Sequence, residues 1–360
     1  MPDPTPAGSQ APDSPRSSFG PGARAVIVFA AFGVAVACLW LGRDILAPAL
    51  TALVVVVAVH PVRNRLDATG APRWLGTTVV VVTAYAVLIV IGGLIAFAAV
   101  QFGHLVTDQG DAMGAMHRSL NGLLDNLGID QSQLSDVTKT IDPSTLASFA
   151  GGIVRSVFSS AVAFFFVLAY IIFMAADGSR TAELRREFAD RHGLLLDALA
   201  RWAHGVRAYF VVNSIFGAIV AVLDGVVLVA LGVPGVPVWI VLAFVTNYVP
   251  NIGFVIGMIP PVLLALITAG WPQALAVVVA YCVINVVLQE LVQPRFVATT
   301  VSLGLTLTFF SVVFWAVVLG AIGALLAVPM TLLVRALVVE IDPDARWSRW
   351  ITGDRRGASG

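Results

Sequence analysis

Apolar runs about as long as a bilayer is thick alternate along this chain with polar links, a pattern that predicts membrane-crossing helices. Crossing about 30 Å of hydrocarbon takes about 20 mostly apolar helical residues, or slightly fewer where the bilayer thins. Six stretches meet that measure: 24–42, 44–60 with Pro48 near its start, 75–101, 153–176, 207–231 and 273–292. Two further apolar regions, 238–268 and 306–339, are interrupted. Pro250, Asn251 and Gly253 divide the first into arms of roughly 12 and 15 residues, too short to cross comfortably one by one. Gly320 and Gly323 divide the second in the same way.

The charges in the links predict an orientation. Arg63, Arg65 and Arg73 follow the second span, and Arg180, Arg185, Arg186, Arg191 and Arg201 follow the fourth, which assigns both links to the cytoplasm. The long link 102–152 carries Asp108, Asp111, Asp125, Asp130, Asp136 and Asp142 against Arg118 and Lys139, so it is expected outside. Its "HRSLNGLLDNL" pattern suggests interfacial amphipathic helices. The segment Arg346 to Arg356 is basic again and is expected inside together with the N-terminus.

Parity follows from that orientation. Six full spans return the chain to the cytoplasmic side, so each interrupted region must begin and end on one face. Each is read as a re-entrant hairpin, the first entering from outside and the second from inside. A loop at midplane depth is tolerated where protein or a water-filled cavity satisfies its free backbone groups. Opposed hairpins beside full spans are the arrangement in which secondary transporters hold solutes at discontinuous helices. The alternative is that Pro and Gly merely kink two long, tilted spans.

The chain is accordingly divided into a disordered cytoplasmic tail (1–23), three N-terminal spans (24–101), an extracytoplasmic amphipathic segment (102–152) and a fourth span (153–176). A basic cytoplasmic link (177–206), a C-terminal transport half with both hairpins (207–339) and a cytoplasmic tail (340–360) complete it. The first 23 residues are rich in Pro, Ser and Gly and hold almost no large apolar side chains, the composition of a segment that stays disordered. Apolar residues begin only after Arg24, unlike a cleaved signal peptide.

Composition strengthens the membrane reading: 58% of residues are hydrophobic, 12% are charged and the mean hydropathy is +0.91. A formal net charge of zero gives a nucleic-acid partner no electrostatic support. Cys38 and Cys282 both lie in apolar runs and are expected to be buried small hydrophobes, with no disulfide framework. His60, His104, His117, His192 and His204 are scattered, without the one-turn spacing of a zinc site, and no H-E-x-x-H or P-loop pattern occurs. No metal, cofactor or catalytic residue is called for. Energy is expected from a gradient or a partner protein.

Polar groups inside spans are the candidate chemistry. An intramembrane charge costs about 2.5–3.5 kcal/mol on insertion scales, so Asp224 in "AIVAVLDGVVLVALG" is a candidate proton or cation carrier, or else a carboxyl group lining a vestibule. Asn285 and Gln289 lie one turn apart on the sixth span, with Glu290 and Arg295 following. Asn285, Gln289 and Glu290 are read as a polar wall opposite the first hairpin tip, which offers Asn247, Pro250, Asn251 and Gly253. Interhelical hydrogen bonding is the bland alternative. Thr306, Thr308, Gly320 and Gly323 of the second hairpin and Asn213 of the fifth span are further candidates. Trp74, Trp239, Trp271, Trp347 and Trp350 fall at expected span or hairpin ends, as interfacial belts require.

The C-terminal half resembles the autoinducer-2 exporter family of bacterial membrane transporters. The landmarks are "LGVPGVPVWIVLAFVTNYVPNIGFVIGMIPPVLLAL" followed by "LVQPRFVATTVSLGLTLTFFSVVFWAVVLGAIGALLAVPMTLLVRAL". The "LGVP", "VP-x-IG", "QPR" and "GALLAVP" elements stand in the family's order and spacing. Where family members show Pro-aromatic-x-Gly-Pro at the first hairpin, this chain has Asn251 and Phe254 at the aromatic and second Pro positions. Leu307 replaces a later Pro. The resemblance implies export of a small solute, in the best-known cases autoinducer-2, while other members look like sodium or lithium/proton antiporters.

The expectation is therefore an all-α polytopic bundle of about six spans and two opposed hairpins in the bacterial inner membrane. It would export a small polar organic solute by alternating access, possessing no enzyme activity. Homo-oligomerisation through the N-terminal spans would give the moving half a support. A Na+(Li+)/H+ antiporter using Asp224 or Glu290 is the main rival, and a non-transporting scaffold or receptor is the rival from another class.

Overall fold

The computed structural model of the protein describes residues 21–67, 70, 72–108, 152, 161–177, 181–250, 252–293 and 303–339. Among them every regular element is a helix. The N-terminal group is α1 (Pro21–Leu41), α2 (Arg43–Asp67), α3 (Arg73–Asp108) and α4 (Ala161–Asp177). The 50-residue α5 (Thr181–Ala230) follows. Then come α6 (Val236–Thr246), α7 (Gly253–Ala269) and α8 (Trp271–Asn285), which runs on as a π-helical stretch over Val286–Val292. Last are α9 (Leu305–Leu319), the short α10 (Ala321–Leu325) and α11 (Ala327–Val338).

Among the described residues four stretches are long and apolar enough to cross a membrane: Arg43–Arg63, Trp74–Leu105, His192–Ala230 and Trp271–Val292. The expected first and fourth spans supply shorter apolar helices over the described residues, Phe29–Leu41 and Phe164–Asp177. Residues 153–160 of the fourth, most of the 102–152 segment and both expected tails beyond residues 21 and 339 lie outside the described residues.

The stretch 177–206, expected as a link, is largely helical and continuous with the fifth span as the first half of α5, with non-helical angles at His192 (φ −130°, ψ 26°). Its Arg and Glu residues are good helix formers, and no proline interrupts it. Beyond that kink the helix His192–Ala230 has 39 residues, about 58 Å at 1.5 Å per residue, longer than the bilayer is thick.

Three apolar cores hold the bundle. Ala52, Val56 and Val59 of α2, Val80 and Ala84 of α3, and Val167, Ile171 and Ala175 of α4 make one. The second joins Leu228 of α5, Trp239 of α6, Leu264 of α7 and Val277 of α8, with Phe102 of α3 against it. The third joins Val54 of α2, Trp202 and Val206 of α5, Trp315 of α9 and Met330 of α11. α5 thus carries the α6–α7 pair on its C-terminal half and the α9–α11 pair on its N-terminal half.

Both interrupted apolar regions are pairs of helices packed on each other across a break. At each break a glycine faces a carbonyl of the opposite arm. A Cβ on Gly253 would overlap the Thr246 oxygen, and one on Gly323 would overlap the Trp315 oxygen. Gly320 adopts φ 74°, which glycine accepts without steric cost. The α6–α7 pair seats on small residues of α5. Gly217, Ala221 and Gly225 recur every four residues and are buried, with a Cβ at Gly217 meeting Asn247 and one at Gly225 meeting Ile240.

Two expectations are corrected. Trp239 is 1% exposed, donates Nε1 to Pro234 O at 2.8 Å and meets Phe102 edge-on, so it is a core residue. Its short helix is covered by α3, α5 and α7, whereas Trp74 and Trp271 at helix starts are exposed. Trp347 and Trp350 lie outside the described residues. Cys38 is exposed and Cys282 half-buried, because an apolar side chain on a membrane bundle needs no protein cover where lipid supplies it.

Candidate functional site

The site is built at the break between α6 and α7. The chain leaves α6 at Asn247, turns with Val249 N–H bonded to Thr246 O at 2.9 Å and Ile252 N–H to Pro250 O at 2.7 Å, and re-enters a helix at Gly253. Pro250 lacks an N–H and so contributes to the break, although α7 itself continues through Pro260 and Pro261. Side chains of α5 take up the freed groups: Tyr209 donates its hydroxyl to Tyr248 O at 2.9 Å. Ser214 Oγ donates to Phe210 O at 2.7 Å, which leaves it to accept from the Tyr248 hydroxyl, also 2.7 Å away.

A chain of amides then joins the break to α5 and α8. Asn247 Nδ2 donates to Asn213 O at 3.1 Å. Gln289 Nε2 donates both to Asn247 Oδ1 at 2.8 Å and to Asn285 Oδ1 at 2.6 Å. Asn285 Nδ2 donates back to Tyr281 O at 2.8 Å, and Gln293 Nε2 donates to Asn213 Oδ1 at 2.9 Å. Asn213, Asn247 and Asn285 are all buried.

Behind the amides lies a narrow cavity lined by Val220, Asp224, Ala243, Thr246, Asn247 and Phe254, and by Gly257, Tyr281, Asn285 and Gln289. Its interior has room for roughly one water molecule. Asp224 and Tyr281 are each 1% exposed, and neither Asp224 Oδ1 nor the Tyr281 hydroxyl has a hydrogen-bond partner among the described residues. A buried carboxyl oxygen without a partner carries a desolvation cost, and buried polar groups elsewhere in proteins are almost always paired. No basic side chain is among the lining residues, and Gln289 spends both amide hydrogens on its neighbours, while the Asp224 carboxyl oxygen offers a guest an acceptor and the Tyr281 hydroxyl a donor.

Asn247, Asn285, Gln289 and Asp224 therefore meet around one cavity. Pro250 and Gly253 shape the break beside it, and Asn251 lies outside the described residues. Glu290, expected in the same wall, is exposed and does not line the cavity. Thr306 is exposed and, like Gly320 and Gly323, stands apart from the cavity in the second pair. Tyr281, Thr246, Gly217 and Gln293 were not singled out in the sequence. A signal for two of them was present: Tyr281, Asn285, Gln289 and Gln293 recur every four residues.

Residues 27–342 match the family described as AI-2E family transporter. The chain is 26% identical over 292 residues to the AI-2 transport protein TqsA of Escherichia coli K12, covering 81% of this chain and 85% of that protein. A Haemophilus influenzae protein provisionally named a transport protein is 26% identical over 346 residues, 92% of this chain and 96% of its own length. One from Mycobacterium tuberculosis, provisionally named likewise, is 28% identical over 330 residues, 85% of each. With a match that spans nearly the whole apolar region and relatives covered almost end to end, the chain belongs to the AI-2E transporter family of membrane transporters.

Proposed function

We propose that the protein is a secondary transporter that exports a small polar organic solute by alternating access, with the α6–α7 break as the moving wall of its binding site. The observation that carries this reading is a polar cavity, closed by Asn247 and holding an unpartnered Asp224 carboxyl oxygen, inside an otherwise apolar helical bundle. In this reading α6–α7 enters the membrane from outside and α9–α11 from the cytoplasm, both termini are cytoplasmic, and a homo-oligomer braces the N-terminal helices. A wall that offers both the Asp224 carboxyl oxygen and the Tyr281 hydroxyl suits a solute that donates and accepts hydrogen bonds. The relative named an AI-2 transport protein supplies the first cargo to try.

The test is uptake of AI-2 into inside-out proteoliposomes, with a panel of neutral polyols beside it. Wild type is expected to accumulate at least one of these solutes and Asn247→Leu to lose that accumulation. Equal rates in Asn247→Leu and wild type would remove the cavity from the transport path.

Asp224 itself favours a second reading, a Na+(Li+)/H+ antiporter. A pH dye trapped in the same vesicles reports it under imposed sodium, lithium or potassium gradients. Cation-driven proton movement in wild type that disappears in Asp224→Asn supports antiport; no proton movement in either protein leaves the organic solute.

A further inference from the structure

The stretch Val286–Val292 is wound as a π-helix in the middle of the amide chain. An α-helix turns through about 100° per residue, so a step of four residues drifts forward by about 40°. A helix closed by i→i+5 bonds turns through only about 82° per residue, so the same step drifts back by about 30°. Wound as α throughout, Gln293 would face about 120° away from Tyr281. With the π stretch it lies within about 25° of it. The unusual winding keeps Asn285, Gln289 and Gln293 on one side of α8, where Gln289 reaches Asn247 and Gln293 reaches Asn213. Two of the bonds it aligns hold the tip directly or at one remove: Gln289 to Asn247, and Gln293 to Asn213, whose carbonyl receives Asn247.

We propose that the π-helical stretch Val286–Val292 is the latch of the α6–α7 tip, fastening it through Gln289 and Gln293 as positioning residues, and that rewinding to α-helix releases the tip and opens the cavity. The role in transport rests on the reading above, but the latch itself does not. Rewinding would carry Gln293 off Asn213 and turn Val292, which points about 150° away from Asn285 under π winding, to within about 20° of it. The cavity as it stands admits little more than a water, so a larger solute needs such an opening.

The experiment uses the full chain in phospholipid vesicles and needs no cargo. Cys38 and Cys282 are changed to Ser, and Thr246→Cys, on the cavity wall, reports access of a methanethiosulfonate ethylammonium reagent by mass spectrometry. Gln293→Leu and Asn213→Leu are each expected to raise the labelling rate about three- to fivefold, the scale of one buried hydrogen bond. The exchanged pair Asn213→Gln with Gln293→Asn keeps the combined reach and is expected to return the rate to within about twofold of the parent. A nitroxide at Val292 is expected to lose contact with lipid-dissolved oxygen in Gln293→Leu. The proposal is overturned by an unchanged labelling rate or by no rescue in the exchanged pair. It is equally overturned by the same rise at an Ala52→Cys control in the α2–α3–α4 core, or by a Val292 signal that does not move. Absence of transport with the latch results intact would instead count against the transport reading.

Discussion

Glycine-to-alanine substitution at the two breaks should separate backbone contact from mere helix preference. At Gly253 the added methyl would fall on the Thr246 carbonyl oxygen, and at Gly323 on the Trp315 carbonyl oxygen. Both obstacles are backbone atoms of a packed helix, so they cannot rotate aside, and the arms must part. Overpacking of this kind costs about 1–3 kcal/mol. At Gly257 the nearest atom is Thr246 Oγ1 at 2.8 Å, a side-chain atom with another rotamer available, and the cost should be below that range. At Gly93 in α3 nothing lies within 4 Å, and alanine should stabilise the helix by about 0.5–1 kcal/mol. Thermal unfolding of the detergent-solubilised protein, followed by intrinsic fluorescence, should therefore rank Gly253→Ala and Gly323→Ala lowest, on the order of 5 °C below wild type. Gly257→Ala should lie between them and wild type, and Gly93→Ala at or above it. If Gly253→Ala melts with Gly93→Ala, the arms are not in backbone contact and the reasoning fails.

Three further outcomes follow from single contacts. Trp202→Phe removes the 2.9 Å bond from Nε1 to Pro329 O that ties α11 to α5, and should lower stability by about 1–2 kcal/mol in the same melting assay. Tyr248→Phe leaves Ser214 Oγ without its donor and should cost about 0.5–1.5 kcal/mol, while Tyr170→Phe, for which no hydroxyl bond is invoked, serves as the near-neutral comparison. Nitroxides attached singly at Cys38 and at Cys282 should differ in broadening by lipid-dissolved oxygen, with more at exposed Cys38 than at half-buried Cys282; equal broadening would contradict the lipid-facing placement of α1.

Much of the arrangement was legible in the sequence, for reasons that differ from residue to residue. The break at Pro250 to Gly253 could be read because proline and glycine cluster there and each weakens a helix locally, although Pro48, Pro61, Pro260 and Pro261 lie inside helices that continue. Asn285 and Gln289 could be read because four-residue spacing puts them on one helical face. The π winding could not: a four-residue repeat of amides is compatible with either helix, and the choice is made by Asn213 and Asn247 on other elements. Trp239 looked interfacial because it stands near the start of an apolar helix, and only the packing of α3 over α6 reveals that the site is internal. The length of α5 was hidden for the opposite reason. Charged residues read as a link when they are counted for orientation, yet the same residues wind readily as helix beside a packed bundle.

The two helical pairs looked interchangeable in the sequence, each an apolar region cut by helix breakers, but their surroundings differ in kind. Around the first break, seven amide and hydroxyl side chains exchange bonds, and an unpartnered carboxyl oxygen stands behind them. Around the second, Leu319, Leu326, Ala327 and Val328 belong to an apolar core, and among the described residues the polar groups include two indole nitrogens with single acceptors, Trp202 with Pro329 and Trp315 with Thr331, and the buried Ser311 hydroxyl of α9. An apolar core gains by staying closed, since each exposed methylene costs about 0.8 kcal/mol. A hydrogen-bonded amide chain can exchange one partner for another, a solute or water included, at far smaller net cost. On the transport reading proposed above, this asymmetry favours motion at the first break and support at the second. Solute-dependent protection from hydrogen exchange should then fall on peptides covering 246–257 and 285–293, and be absent from those covering 315–330. Protection of the second set alone would reverse the assignment.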